Sequence, residues 1–394
     1  MQIFRTALKE ALWVFVFSRL TIVIVTYVCI VLLPLAGHGP LDCTHGIHPN
    51  PCLLSWYHWD SVAYVNIAFQ GYAHTPDVVY FPLWPLLIHF GGLLLGGSFP
   101  FSYYLAGLLL SNICFYFALA LLYCLLCEDF EPSLAKRALF YLAFYPYALF
   151  FFAGYTESLF VLLCVAFFLL LRRGKPLDWW LAGGIGCLAV LTRSTGILLS
   201  IPFLIVYMRR FWFTAERKQY RWFQQVNAFA PIVLIPAALL AYTIYLGYTT
   251  GNPFIIQAEE AAGWHRHFAW IWTTYHQTLK ILFAFPPLSL DFAKDLLDIA
   301  FTTLPIVALL ISWKRLPLHY SLFALAAFIL SISFPLGTIN PMASQPRYMM
   351  SIFPFIVVFA FWGKRPHFDW LFIALGPPLL ALNCILFISH YWVA

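Results

Sequence analysis

An all-helical, polytopic membrane protein is the fold class this sequence predicts, on three observations. Hydrophobic residues make up 62% of its 394 residues and charged residues only 10%, with a mean hydropathy of +0.82, too little polar surface to solvate a globule of this size. Several apolar runs exceed the roughly 18 residues with which a helix crosses a bilayer. No stretch shows the ten-residue alternation of a membrane barrel, the other architecture that satisfies its own backbone in lipid.

Taken in order, the run Leu12 to Leu35 follows Arg5 and Lys9. It is too long for a signal peptide and lacks a small-residue cleavage site, so it is read as a first span leaving the cytoplasm. Residues 37–100 then form a long first outer loop with juxtamembrane helices. Within it Phe81 to Leu95 is apolar but short and carries Pro82 and Pro85. As a span it would invert the charge pattern of everything downstream, so it is placed as a juxtamembrane or re-entrant helix. Phe101 to Cys127 returns to Lys136 and Arg137. Ala138 to Ala153 and Tyr155 to Leu171 make a hairpin ending at Arg172, Arg173 and Lys175, and Leu177 to Arg210 makes another, tipped by Thr192-Arg193-Ser194-Thr195-Gly196. Segments of about 15 residues at about 1.5 Å rise reach about 23 Å, short of a hydrocarbon core of about 30 Å, so these tips are expected to border a cavity open to the outside.

Ala228 to Tyr248, Phe292 to Trp313, Leu318 to Phe334, Met349 to Trp362 and Trp370 to Tyr391 complete a set of about eleven spans, with further outer loops over 249–290 and 335–348. Of the 22 Lys and Arg, this layout leaves only Arg193, Arg266, Lys280, Lys294 and Arg347 outside, and Arg19 within the first span. No internal repeat divides the chain, and one transmembrane domain over 1–394 is expected.

The stretch Trp56-Tyr57-His58-Trp59-Asp60, with Tyr64 one turn further on, puts a carboxylate among aromatic residues where water meets lipid. Asp60 has two readings. It caps a short helix by accepting backbone N–H bonds, or it is a general base whose neighbours Trp56, Trp59 and Tyr64 lower the local dielectric, raise its basicity and offer ring faces to a sugar. Asp77, Glu157 and Glu259-Glu260 are further acids on the same side. Glu157, in Gly154-Tyr155-Thr156-Glu157-Ser158 at a hairpin tip, is expensive at membrane depth unless it is used or paired, with Arg193 a candidate partner. Arg193 and Arg347 end apolar segments on the outer face, either as interfacial anchors or as ligands for a lipid phosphate, which guanidinium holds by forked hydrogen bonds. Trp59, Tyr64, Asp77, Arg266 and Tyr348 join them as candidate substrate contacts.

Cys43 and Cys52 face the oxidising side in this layout. A small-loop disulfide between them is favoured over a metal site in Cys-x-His-x-x-His-x-x-x-Cys, whose spacing fits no common zinc pattern, and free thiols stay open. No P-loop, dinucleotide fingerprint, His-Glu-x-x-His or Gly-x-Ser-x-Gly occurs, which argues against an ATP-driven pump or a soluble-type hydrolase. The formal charge of +6 is carried by short clusters between spans and calls for no nucleic-acid partner.

Trp59-Asp60 followed by Tyr64, Ile67-Ala68, Gly71-Tyr72 and Phe81-Pro82-Leu83-Trp84-Pro85 resembles the first-loop signature of the PIG-V-like mannosyltransferases. Behind it, in order, come Tyr145-Pro146 through Gly154-Tyr155-Thr156-Glu157-Ser158-Leu159-Phe160, then Thr192-Arg193-Ser194-x-Gly196, then Gln345-Pro346-Arg347-Tyr348 ahead of Pro354. Trp84 departs from the pattern, which more often has Tyr there, and the Cys43 to Cys52 stretch is not part of it. The resemblance implies a GT-C fold, a polyprenyl- or dolichyl-phosphate sugar as donor, Asp60 as the base, and Glu157, Arg193 and Arg347 lining the donor or acceptor site.

The expected function is then an inverting glycosyltransferase that moves a sugar, mannose on the resemblance, from a polyprenyl-phosphate donor to a hydroxyl of a glycan or glycolipid acceptor. Its place is the plasma membrane of a prokaryote or the endoplasmic reticulum membrane of a eukaryote, with the site on the non-cytoplasmic side. Such a donor arrives activated, so no cofactor is required and no divalent metal is indicated. Two other classes stay open on sequence alone. A transporter or flippase of lipid-linked sugars needs functional polar groups on both faces, and a non-catalytic subunit of a glycosylation complex would tolerate loss of Asp60.

Overall fold

The computed structural model describes residues 2–32, 54–213, 221–337 and 340–393; Cys43 and Cys52, the expected disulfide, lie outside them. Among the described residues there is no strand. The helices are α1 (Gln2–Leu32), α2 (Asp60–Gln70), α3 (Leu83–Leu94), α4 (Phe101–Asp129), α5 (Pro132–Ala143), α6 (Glu157–Arg173), α7 (Pro176–Thr192) and α8 (Ser200–Phe211), followed by α9 (Trp222–Thr250), α10 (Ile255–Gly263), α11 (Ile271–Leu282), α12 (Leu290–Ile311), α13 (Leu318–Ile332), α14 (Gln345–Ser351), α15 (Phe353–Trp362) and α16 (Pro366–Ile388). The all-helical expectation holds. Five stretches among the described residues are long and apolar enough to cross a membrane: Ile3–Leu32, Phe101–Asp129, Ser194–Phe211, Trp222–Thr250 and Pro366–Ile388. Other expected crossings fall on shorter apolar helices, α7, α13 and α15.

The chain forms two compact units, each discontinuous in sequence: 1–73, 84–159 and 359–394 make the first, 74–83 and 160–358 the second. In the first, α1 packs on α4, α5 and α16. Arg19, a cation inside the first expected span, is buried there, its Nη2 donating to the Phe151 carbonyl at 3.1 Å and its guanidinium 4.4 Å from the Phe115 ring centre. The Ser111 and Ser158 hydroxyls reach the same carbonyl, each at 3.1 Å. Three donors on one oxygen fix the 3-10 turn Ala148–Phe151 that leads into α6. From α5 itself, Tyr141 donates to Asp369 at 2.6 Å and Arg137 pairs with it at 3.5 Å, holding the first turn of α16.

In the second unit α7 packs on α9, its Gly183 and Gly186 lying against Pro231 and Ile235, while α8 contacts α9 and α13. The segment 249–290, expected as an outer loop, carries two helices, α10 and α11. Its hydropathy hid α11 because two of its three buried residues are polar. Thr274 and Thr278, one turn apart, are buried, with Thr274 Oγ1 donating to the Ile332 carbonyl at 3.1 Å, whereas Trp272, Leu279 and Phe283 are exposed. An outward apolar face suits a helix lying against lipid and reverses the pattern that marks a helix in water.

Candidate active site

The first unit sets Asp60 in an aromatic frame. Ser61, buried, accepts the His58 N–H at 2.9 Å and donates to the His58 carbonyl at 2.8 Å, closing a tight turn before α2. The turn leaves Trp59, the residue capping α2, at φ 55° and ψ −125°. A side chain in that region costs about 1–3 kcal/mol, and such strain is held where the surroundings over-determine it. Those surroundings are visible: the Trp59 ring meets Trp392 edge-on at 5.0 Å, and the His58 ring lies 4.0 Å from His390. Asp60 follows as the first residue inside the helix, half-buried, where the helix dipole favours a carboxylate.

The expected aromatic neighbours differ among themselves. Trp56 and Tyr64 are buried, while Trp59 is 41% exposed and so presents ring surface outward. Tyr64 packs edge-on against Tyr155 at 6.5 Å, and the Tyr155 hydroxyl donates to the His58 carbonyl at 3.3 Å. Burial, and after it the neighbouring His390, hold His58 down to about 4, so this imidazole is neutral at pH 7.

Glu157 is 1% exposed and opens α6, again at a helix N-terminus. The turn before it depends on Gly154, at φ +78°, a conformation that glycine adopts freely and that lies against the backbone of Gly107. Trp84 reads that turn directly. Its fully buried indole Nε1 donates to the Gly154 carbonyl at 2.9 Å, so the residue that departs from the family pattern supports the Gly154–Ser158 segment through its N–H.

The second unit gathers the cations. Arg193 ends α7, and the 3-10 turn Ser194–Leu199 folds straight back over that helix. Only a glycine fits at 196, because a Cβ there would enter the backbone of Ala189 and Val190. Arg347 and Tyr348 lie on α14, which begins at Ser344 in the left-handed region (φ 69°). Gln345 anchors it: its Oε1 accepts from the Ser331 hydroxyl and its Nε2 donates to the Ser331 carbonyl at 3.0 Å. Three guanidiniums converge on the Tyr348 ring, with Cζ of Arg193 4.9 Å, of Arg347 5.3 Å and of Arg266 6.0 Å from its centre. Arg266 Nη2 donates to the Tyr348 hydroxyl at 3.0 Å, and its Nε pairs with Glu260 at 3.3 Å.

These charges act on one another. Burial pushes the Tyr348 phenol up, but Arg266, then Arg347 and Arg193, outweigh it and bring it down to about 8. Burial disfavours the Arg266 cation, and Tyr348 and Glu260 more than restore it, so it titrates above the ordinary arginine range. A cluster of three guanidiniums around one phenol suits an anion such as a phosphate. As pH rises through about 8, Tyr348 becomes a phenolate and cancels one positive charge. Affinity for an anionic donor is therefore expected to weaken above that pH, and the inflection to vanish in Tyr348→Phe. Donor titrations across pH on both proteins check this; the same inflection in the variant would assign it elsewhere.

Asp77 is placed differently from the other acids. Its carboxylate accepts the His74 N–H at 3.2 Å in a capping box, within the 3-10 turn Thr75–Val79 that packs on α10. Tyr242 and Trp264 hold the same segment, through the Val78 carbonyl at 3.2 Å and the Tyr80 ring at 6.3 Å. Sequence reasoning missed His390, Trp392 and the Ser331–Gln345 anchor. His390 and Trp392 lie more than 300 positions from the residues they support, Ser331 sits on a different helix from Gln345, and no local spacing signals them. Glu260 stood out only as one of several outer acids.

A helical, multi-pass integral membrane protein is the class these features define, with an acid framed by aromatic residues in one unit and an arginine cluster in the other. The pattern of the family Mannosyltransferase (PIG-V) matches residues 48–278, more than half of the chain, and the chain belongs to that family. It is 29% identical to the GPI alpha-1,6-mannosyltransferase 2 of Mus musculus over 211 residues, covering 48% of this chain and 40% of that protein. With the GPI mannosyltransferase 2 of Schizosaccharomyces pombe it shares 24% over 242 residues, 56% of this chain and 49% of the other. The chain thus spans less than half the length of the curated relatives it matches. Among solved structures it is similar to the apo oligosaccharyltransferase of Archaeoglobus fulgidus (TM-score 0.45, 14% identity, 98% of this chain and 56% of that one). The form tethered with an acceptor peptide gives 0.46, 14%, 97% and 55%. A likeness at that level is too distant to carry an argument.

Proposed function

We propose that this protein is an inverting glycosyltransferase that moves mannose from a polyprenyl-phosphate donor to a hydroxyl of a glycan or glycolipid acceptor. The observation that carries the reading is the convergence of Arg193, Arg266 and Arg347 on Tyr348, a receptor for the phosphate that leaves. Membership of the Mannosyltransferase (PIG-V) family supports the sugar. In the reaction the acceptor oxygen bonds to the anomeric carbon from the face opposite the phosphate. Asp60 takes the hydroxyl proton, and the bond from the anomeric carbon to the phosphate oxygen breaks with its electron pair. The negative charge arriving on the lipid phosphate is met by the arginines. Trp59, 41% exposed, offers its ring face to the sugars, and the activated donor makes a resident cofactor unnecessary.

The test is incubation of the purified protein with polyprenyl-phosphate mannose and a panel of glycan and glycolipid acceptors, with products identified by mass spectrometry. Transfer to at least one acceptor with inversion at the anomeric carbon is expected. Donor turnover to no acceptor, in protein that binds the donor, would leave a binding or transport role instead. The reaction is placed on the non-cytoplasmic side, in line with the charge layout. Single cysteines at His267 and Lys364, both exposed, should accordingly label with an impermeant maleimide from opposite sides, His267 from outside. Labelling from one side would redraw the spans between them.

A further inference from the structure

A group of polar residues unused by this chemistry lies in the second unit at the N-terminal end of α7, about 25 Å along that helix from Arg193. There the first turns of α7 and α9 and the last turn of α8 surround a cavity of about 290 Å³, lined among others by Trp179, Arg210, Phe211, Phe223, Gln224 and Asn227. Every polar side chain in that set offers a donor. Arg210 donates through Nη1 to the Gly174 carbonyl and lies 5.5 Å from the Trp179 ring centre; no carboxylate pairs with it among the described residues. Trp179 is 3% exposed and its indole N–H has no partner among them.

The two amides are oriented by their surroundings. Asn227 Oδ1 accepts the Trp180 indole N–H at 3.2 Å, and Gln224 Oε1 accepts the Arg221 backbone N–H at 3.0 Å. Both partners can only donate, so each amide must turn its oxygen to them and keeps its NH2 for another group. Asp178, in the first turn of α7, accepts the Lys175 backbone N–H at 3.4 Å. Two helix N-termini add their positive ends. Such a lining selects an anion.

The rim selects the kind of anion. Leu177, Trp222, Phe223 and Val226 are exposed around the mouth, giving an apolar face beside the donors. Helix ends bearing Arg172, Arg173, Lys175, Arg209 and Arg221 mark the headgroup level, and the charge layout puts this end toward the cytoplasmic leaflet, where anionic lipids concentrate. We propose that this cavity binds an anionic phospholipid, its phosphate held by Arg210, Gln224, Asn227 and the Trp179 indole, with the acyl chains along the exposed face of α9.

The experiment is thermal unfolding of the delipidated full-length protein in detergent, titrated separately with phosphatidylglycerol, phosphatidylcholine and inorganic phosphate. Phosphatidylglycerol alone should raise the midpoint saturably. Gln224→Glu keeps the oxygen that accepts the Arg221 N–H but replaces the donor by a carboxylate, and should weaken the lipid effect about tenfold or more. Arg210→Gln makes the same comparison should the first variant prove polydisperse. Equal responses to the two lipids, or an unchanged phosphatidylglycerol response in the variant, would overturn the site. An equal response to inorganic phosphate would overturn the lipid in favour of a soluble anion.

Discussion

Asp60→Asn is expected to lower turnover by about 10²–10⁴-fold while donor affinity stays near that of the wild type. The substitution keeps the shape of the side chain and leaves the Ser61–His58 turn and the Trp59–Trp392 contact untouched. What it removes is the capacity to take a proton, and with it a charge at the start of α2, a loss of about 0.3–1 kcal/mol at such a position. A structural cap would behave in the opposite way, because Asn serves a helix N-terminus about as well as Asp. Turnover and donor binding are therefore to be measured side by side on monodisperse wild type and variant. Activity within a few-fold of wild type would remove Asp60 from the chemistry and make Glu157, the buried acid of the same unit, the next to test.

How far the sequence discloses this protein depends on the range over which each feature is encoded. Hydropathy and the length of the apolar runs recover the all-helical class and many of the apolar helices, down to the short α3, because lipid imposes one requirement on every span. They fail at α11, where buried Thr274 and Thr278 face the protein and Trp272 faces outward, since hydropathy alone cannot say which face meets lipid. For the site, family motifs mark Asp60, Glu157, Arg193 and Arg347, and local geometry then explains individual letters. Gly196 permits the 3-10 turn against α7, and the Trp84 N–H fastens Gly154. Hidden from the sequence is the second layer: His390 and Trp392 against the strained Trp59 turn, and Ser331 holding Gln345. These contacts join residues hundreds of positions apart, or on different helices, and only the folded chain pairs them.

Arg347→Lys is expected to weaken donor binding and lower turnover together by about ten- to a hundredfold, though the charge is conserved. Arg347 is 6% exposed, on a helix held by Gln345, with Tyr348 beside it. In that setting its planar fork can hold two phosphate oxygens at once, whereas an ammonium offers a point charge with no fixed direction and a larger penalty for leaving water. Losing one charge-assisted hydrogen bond is worth about 1.5–3 kcal/mol, which is the size of effect expected here. Arg266→Lys should be damaging for a further reason, because Arg266 also joins Glu260 to the Tyr348 hydroxyl. Arg193, half-buried at the end of α7, provides the comparison with Arg347, since both guanidiniums face the same Tyr348 ring. If the cations served only as interfacial anchors, lysine would snorkel as well as arginine and both variants would bind and turn over donor normally. Donor affinity and turnover of Arg193→Lys and Arg347→Lys, each checked for an unchanged melting midpoint, decide between the two roles. Normal values in both would leave the phosphate without its receptor, while a shared loss with the fold intact would place the leaving group at Tyr348.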